Sequence, residues 1–125
     1  MSSCYCDYDQ PEFWSRTTPK ARKRYTCEEC GGPILPGERY EYIAGKWDGS
    51  FGEFKTCERC ADIRQWVTNN VPCFCWSYGN VMEDAYYAIK DAVERAPTET
   101  GGLWFGFLRR KLIRDKHNQA RVAAS

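Results

Sequence analysis

The sequence predicts a small α+β fold in which a cysteine-built core of knuckle, β-hairpin and helix is followed by two further helices. Three observations carry that prediction. The pairs CEEC (27–30) and CERC (57–60) have the spacing of two metal-binding turns. Between them, GGPILPGERYEYIAGKWDGSFGEFKT breaks into short apolar stretches at Pro36-Gly37 and Asp48-Gly49, as strands joined by turns do. From Cys57 onward the apolar residues switch to helical spacing.

The knuckle comes first. A two-residue gap lets one tight turn aim both sulfurs at an ion about 2.3 Å away, and a second such turn completes a tetrahedron, so Cys27, Cys30, Cys57 and Cys60 are the ligands of a zinc site. Gly31-Gly32 suits the turn, because glycine takes positive φ and lets N–H groups approach the sulfurs. The strands follow, with Ile34, Tyr40, Tyr42, Ile43 and Trp47 as their apolar residues.

Cys60, Ile63, Trp66 and Val67 then recur at helical spacing until Asn69-Asn70-Val71-Pro72 stops the run. The second cysteine pair therefore enters a helix, whose N-terminal N–H groups and dipole favour thiolates. In NVMEDAYYAIKDAVERA, Asn80 is the expected N-cap, Glu83 stands three positions on, and Met82, Ala85, Tyr86, Ile89, Val93 and Ala96 form one stripe. PTETGG (97–102) reads as a hinge, and LWFGFLRRKLIRDKHNQARVAAS as a last helix. There Trp104, Leu108 and Leu112 step by four with Phe105 beside them, while Arg110, Arg114, His117 and Arg121 mark another face. The expected organisation is a core domain over 1–96, a hinge over 97–102 and a basic amphipathic helix over 103–125.

Four cysteines remain, as the C-x-C pairs Cys4/Cys6 and Cys73/Cys75, before the hairpin and after the first helix. In an extended segment residues i and i+2 face the same side, so these pairs are expected to form a second four-thiolate zinc site nested around the first. Two alternatives stand beside it: buried free thiols, and one bridged cluster across all eight sulfurs.

Knuckle, hairpin and ligand-bearing helix is the treble-clef order, and residues 27–60 resemble treble-clef zinc fingers of the LIM-like kind. The string C-x2-C-G-x-P-I-x2-G-E-x-Y…G-x-W-x-G…C-x2-C also resembles small zinc-binding proteins of phages and prophages without assigned function. The resemblance covers about a third of the chain. It implies zinc but selects no activity, because treble clefs serve nucleic-acid binding, nucleases and protein docking alike. The His-containing motif of the nuclease members has no counterpart here.

No apolar run reaches the length of a membrane span, and the N-terminus lacks the basic start and apolar stretch of a signal peptide, so a cytoplasmic protein is expected. Close cysteine pairs in a reducing compartment point to metal instead of disulfides. The formal net charge is +1, but two filled zinc sites, each carrying −2, would turn it to −3. Contact with nucleic acid must then come from local basic surfaces. Two are available: Lys20, Arg22, Lys23 and Arg24 ahead of the knuckle, and Arg109, Arg110, Lys111, Arg114 and Arg121 in the last helix.

His117 is the single histidine, and both zinc sites are filled by protein thiolates, so neither a Cys-His couple nor an open zinc position is foreseen. The expected function is a non-catalytic zinc-binding module that contacts nucleic acid, with no membrane or small-molecule substrate. The rival is an adaptor or inhibitor that binds a host protein. Its motivation is the surplus of aromatic residues such as Tyr5, Tyr8, Phe13, Trp14, Trp47 and Trp104.

Overall fold

The computed structural model describes residues 13–47 and 49–124 of the chain. Its architecture is mixed α+β. Strands β1 (Phe13–Thr17), β4 (Tyr40–Trp47) and β5 (Ser50–Cys57) form an antiparallel sheet in the order β1-β4-β5, and β2 (Tyr25–Thr26) pairs with β3 (Pro33–Ile34) in a small ribbon. Helices α1 (Glu58–Asn70), α2 (Val81–Arg95) and α3 (Leu103–Ala124) follow.

The β4–β5 hairpin arises where the sequence changes from turn chemistry to alternating residues. Gly49 supplies φ +81° at its tip, and the register runs from Trp47↔Ser50 to Tyr40↔Cys57. That register delivers Cys57 to the sheet end, where α1 starts at once. The face of β4 carrying Ile43 also buries Glu41, whose carboxylate is paired with Arg64 of α1 and Arg16 of β1. β1 is not foreseen by the sequence pattern: WSRT offers little apolar alternation, and β1 exists because β4 has a free edge to pair.

The helices bury residues at i, i+3 and i+4. Ile63 and Val67 of α1, Ala85 and Ile89 of α2, and Leu103 and Phe107 of α3 meet in one apolar core with Val71. A second buried cluster lies around the cysteines and includes Ala21, Ile34 and Tyr40, with Met82 packed against both. Burying a side chain such as Phe107 contributes about 2 to 3 kcal/mol, so the helical core gives the chain a stabilising centre separate from the sulfurs.

Two local expectations are corrected by the fold. Asn80 is the N-cap of α2 but makes no side-chain cap bond. The Glu29 carboxylate takes that role from the knuckle, accepting from the Gly79 and Val81 N–H groups at 2.7 and 3.0 Å. The last helix runs from Leu103 and packs on α1 with Leu103 and Phe107 inward, so the Leu108/Leu112 part of the stripe singled out in the sequence is not its core face. Leu103, Phe107 and Arg114 are buried, whereas Phe105, Leu108 and Leu112 face outward.

Candidate metal centre

The first turn is built by hydrogen bonds within CEECGG. The Cys27 N–H donates to the Gly32 carbonyl at 2.9 Å and the Gly31 N–H to the Cys27 carbonyl at 3.0 Å, with Gly31 at φ +71°. This turn points two further N–H groups at sulfur: Glu29 to Cys27 Sγ and Gly32 to Cys30 Sγ, both at 3.4 Å. The second pair is placed by α1, with Cys57 as its N-cap and Cys60 one turn in. The Cys57 N–H donates to Cys27 Sγ at 3.2 Å, which joins the two halves.

The four sulfurs of Cys27, Cys30, Cys57 and Cys60 lie within 4.8 Å of one another and can hold a metal ion. The Cys30 and Cys57 sulfurs are 3.8 Å apart. That is the edge of a tetrahedron whose corners are about 2.3 Å from a central ion. Thiols this close cannot all ionise in the absence of a cation. Hydrogen bonds with Cys27, Cys57 and Cys60 push the Cys30 thiol down, while Cys57 and Cys60 are pushed up by their bonds to Cys27 and Cys30. A divalent cation removes that conflict, because each sulfur is then a thiolate.

The centre has an outer layer that sequence reasoning missed. Arg114 of α3, buried, donates from Nη1 to Cys60 Sγ at 3.6 Å, and Asn118 one turn later donates from Nδ2 to Cys30 Sγ at 3.4 Å. Burial alone would push the Arg114 guanidinium down, but the Cys60 sulfur and the Asp115 carboxylate outweigh it and hold it charged. Helix α3 is brought close by Gly106, where an added Cβ would stand 2.3 Å from the Trp66 indole, and by Arg110, stacked over that indole at 4.4 Å. Gly32 permits the other approach, since a Cβ there would meet Asn118 Nδ2 at 2.5 Å. The only sequence signal for this layer is the Arg114/Asn118 spacing of four, which by pattern alone reads as a solvated face.

The second expected site is only half within view. Cys73 and Cys75 sulfurs lie 4.0 Å apart, and Cys73 adopts φ +55°, so the segment is not the extended strand expected of it. Both are disulfide-bonded, which corrects the expectation of metal instead of disulfides for this pair. Two sulfurs fall short of a closed four-ligand site, and Cys4 and Cys6 lie outside the described residues.

The candidate nucleic-acid residues separate into two groups. Lys20, Arg22, Lys23 and Arg24 are exposed. Arg39 joins them through its bridge to Lys20, and Lys23 stands over the Tyr25 ring at 5.6 Å, whereas Lys55, over the same ring at 5.1 Å, is paired with Glu53 at 3.0 Å. In α3, by contrast, Arg109 is exposed, but Arg110 is stacked on Trp66, Lys111 lies over Phe107 at 5.3 Å, and Arg114 is buried on Cys60. Arg114 is therefore not available to a phosphate, because its guanidinium serves the sulfur cage. The side chain of Arg121 lies outside the described set.

His117 is half-buried in a cleft beside Cys57, with Arg39, Arg59, Glu38 and Glu58. Among the described residues, no helix is long and apolar enough to cross a membrane.

Compared with known proteins, the chain matches no family model, no curated protein and no solved structure. A functional reading therefore rests on its own residues.

Proposed function

We propose that the chain is a non-catalytic zinc-binding module, encoded by a phage or prophage, that presents a basic surface to nucleic acid. The element order supports a treble-clef reading, with a knuckle, the β4–β5 hairpin and a helix that begins at the second ligand pair. Zinc is the ion this donor set suits, since four thiolates in tetrahedral array favour it over harder cations. Filled by four protein sulfurs and surrounded by N–H donors, the site keeps no position for water, which is the condition of a structural zinc. Cys73 and Cys75, when reduced, offer half of a second zinc site, to be completed by Cys4 and Cys6. The phage origin rests on the resemblance of residues 27–60 alone.

The observation that carries the nucleic-acid reading is the exposed group Lys20, Arg22, Lys23 and Arg24, placed just before the knuckle and widened by Arg39. Exposed cations beside a metal-bound turn neutralise phosphates and release counterions. The test is titration of the zinc-loaded chain with mixed-sequence DNA and RNA across salt concentrations. Binding at about 50 mM salt that weakens steeply with added salt is expected, and changing Arg22, Lys23 and Arg24 to Ala should lower the salt slope by about three. An affinity indifferent to salt, or none at low salt, removes the reading.

A further inference from the structure

Helix α3 is apolar on two opposite sides. Its inward side inserts Leu103 and Phe107 into the helical core, yet the outward side carries Phe105, Leu108, Leu112 and Ile113, between 50% and 69% exposed. A surface helix with one apolar face has its partner already; one that is apolar on both faces is short of a second. The outward stripe continues onto α2. Trp104, one turn before Leu108, contacts Tyr86 with ring centroids 5.2 Å apart, and Tyr86 contacts Tyr87 at 5.3 Å. Both tyrosines are about half exposed. Contiguous apolar surface of this extent marks an interaction site, whereas single scattered residues do not.

Charge decides what fits. On α2 the residues around the tyrosines are Glu83, Asp91 and Glu94 against Lys90, with Asp91 held by Arg95. On α3 the outward side carries Arg109 and Lys116, with Asp115 beside Leu112 paired to Arg114. The α2 half of the patch is thus net acidic at its margin and the α3 half net basic. We infer that this α2–α3 face is the interface of a homodimer, in which a two-fold axis lays α3 of one copy against α2 of its partner. A patch that must complement itself needs both signs, placed so that a two-fold rotation exchanges them, and an apolar centre that is its own match. Nucleic acid offers no counterpart to such a stripe, and the dimer leaves the basic group at 20–24 free, so the inference does not depend on the nucleic-acid reading.

The experiment is sedimentation equilibrium of the full, zinc-loaded chain from low to about 100 µM. A concentration-dependent mass rising from 14.5 kDa toward twice that value is expected. Leu108→Asp and Leu112→Asp should each raise the dimer dissociation constant at least about tenfold while zinc content and helical circular dichroism stay unchanged. Arg109→Glu should weaken it as well. A chain that stays monomeric at about 100 µM overturns the inference, whatever other partner it binds. So does a dimer that survives both aspartate substitutions in folded, zinc-loaded protein. The mass of the unsubstituted chain decides between monomer and dimer even if a variant fails to fold.

Discussion

Arg114 and Cys60 are joined by a hydrogen bond from guanidinium to sulfur that spans 54 positions of sequence. The bond places the charged part of α3 on the metal centre, and it explains why an arginine in an otherwise solvent-facing series is buried. A cage of four thiolates around a divalent ion carries two negative charges in a partly buried place, and a guanidinium offsets one of them where water cannot.

Replacing Arg114 with Met keeps the stem and removes the charge. The loaded protein should lose about 1.5 to 3 kcal/mol of unfolding free energy and bind zinc about 10 to 100 times more weakly. Arg114→Lys should restore little of this, because an ammonium cannot serve Cys60 and Asp115 in the same fork. Chelator competition and denaturant titration measure the two effects.

Gly106→Ala should destabilise, although alanine favours a helix by about 1 kcal/mol. Its methyl would occupy the space of the Trp66 ring, so α3 must lift or the indole must turn. Loss of the native Trp66 environment in fluorescence, together with a lower melting temperature, is the expected outcome. A rise in melting temperature would show that α3 does not sit this close.

Glu41 gives a pH dependence. Burial would raise its carboxyl, but the hydrogen bonds and charges of Arg64 and Arg16 outweigh that and hold it below the ordinary value. Its folded pKa is therefore depressed. The contribution is fully present above the unfolded value of about 4.3 and is lost as pH falls through the folded one. Glu41→Gln should cost about 3 kcal/mol at neutral pH, the low end for a broken buried pair because Arg16 reaches solvent. The stability gap between the two proteins should narrow below about pH 4. Denaturant midpoints across pH check it.

Glu29→Ala should remove both carboxylate bonds to the start of α2, costing about 1 to 2 kcal/mol. Hydrogen exchange should speed up first at Gly79 and Val81, with the zinc content unaltered. An unchanged exchange rate there would mean that the knuckle does not cap α2.

Zinc removal should be the largest perturbation. A chelator is expected to abolish the ordered hairpin and loosen α3, because thiolate sites contribute much of the folding energy of small zinc domains. Native mass spectrometry under reducing conditions should show two zinc ions, falling to one when Cys4 and Cys6 are both changed to Ser. A count of one in the unsubstituted chain would reduce the protein to its first site.

Much of the local structure was legible. CEECGG, CERC and the turns at Gly37 and Gly49 take their conformations from glycine, cysteine spacing and period, all of which act over a few residues. The clustering of Cys27, Cys30, Cys57 and Cys60 was legible for the same reason. The outer layer was not. Leu108 and Leu112 look like an inward stripe and Arg114 like an outward one, since burying a cation is costly unless a charge awaits it. The Cys60 sulfur and the Asp115 carboxylate offset that cost, and no periodicity reports the contact with Cys60. The strand β1 was hidden similarly, because its pairing depends on the free edge of β4.

What the sequence determined by itself is the chemistry: four thiolates in two tight turns, a hairpin between them and three amphipathic stretches. The tertiary structure decided which face of α3 turns inward. Helical period leaves that rotation open when both sides are apolar, and it is set by Gly106 against Trp66, Arg114 against Cys60 and Asn118 against Cys30. These contacts join the last helix to a centre formed in the middle of the chain.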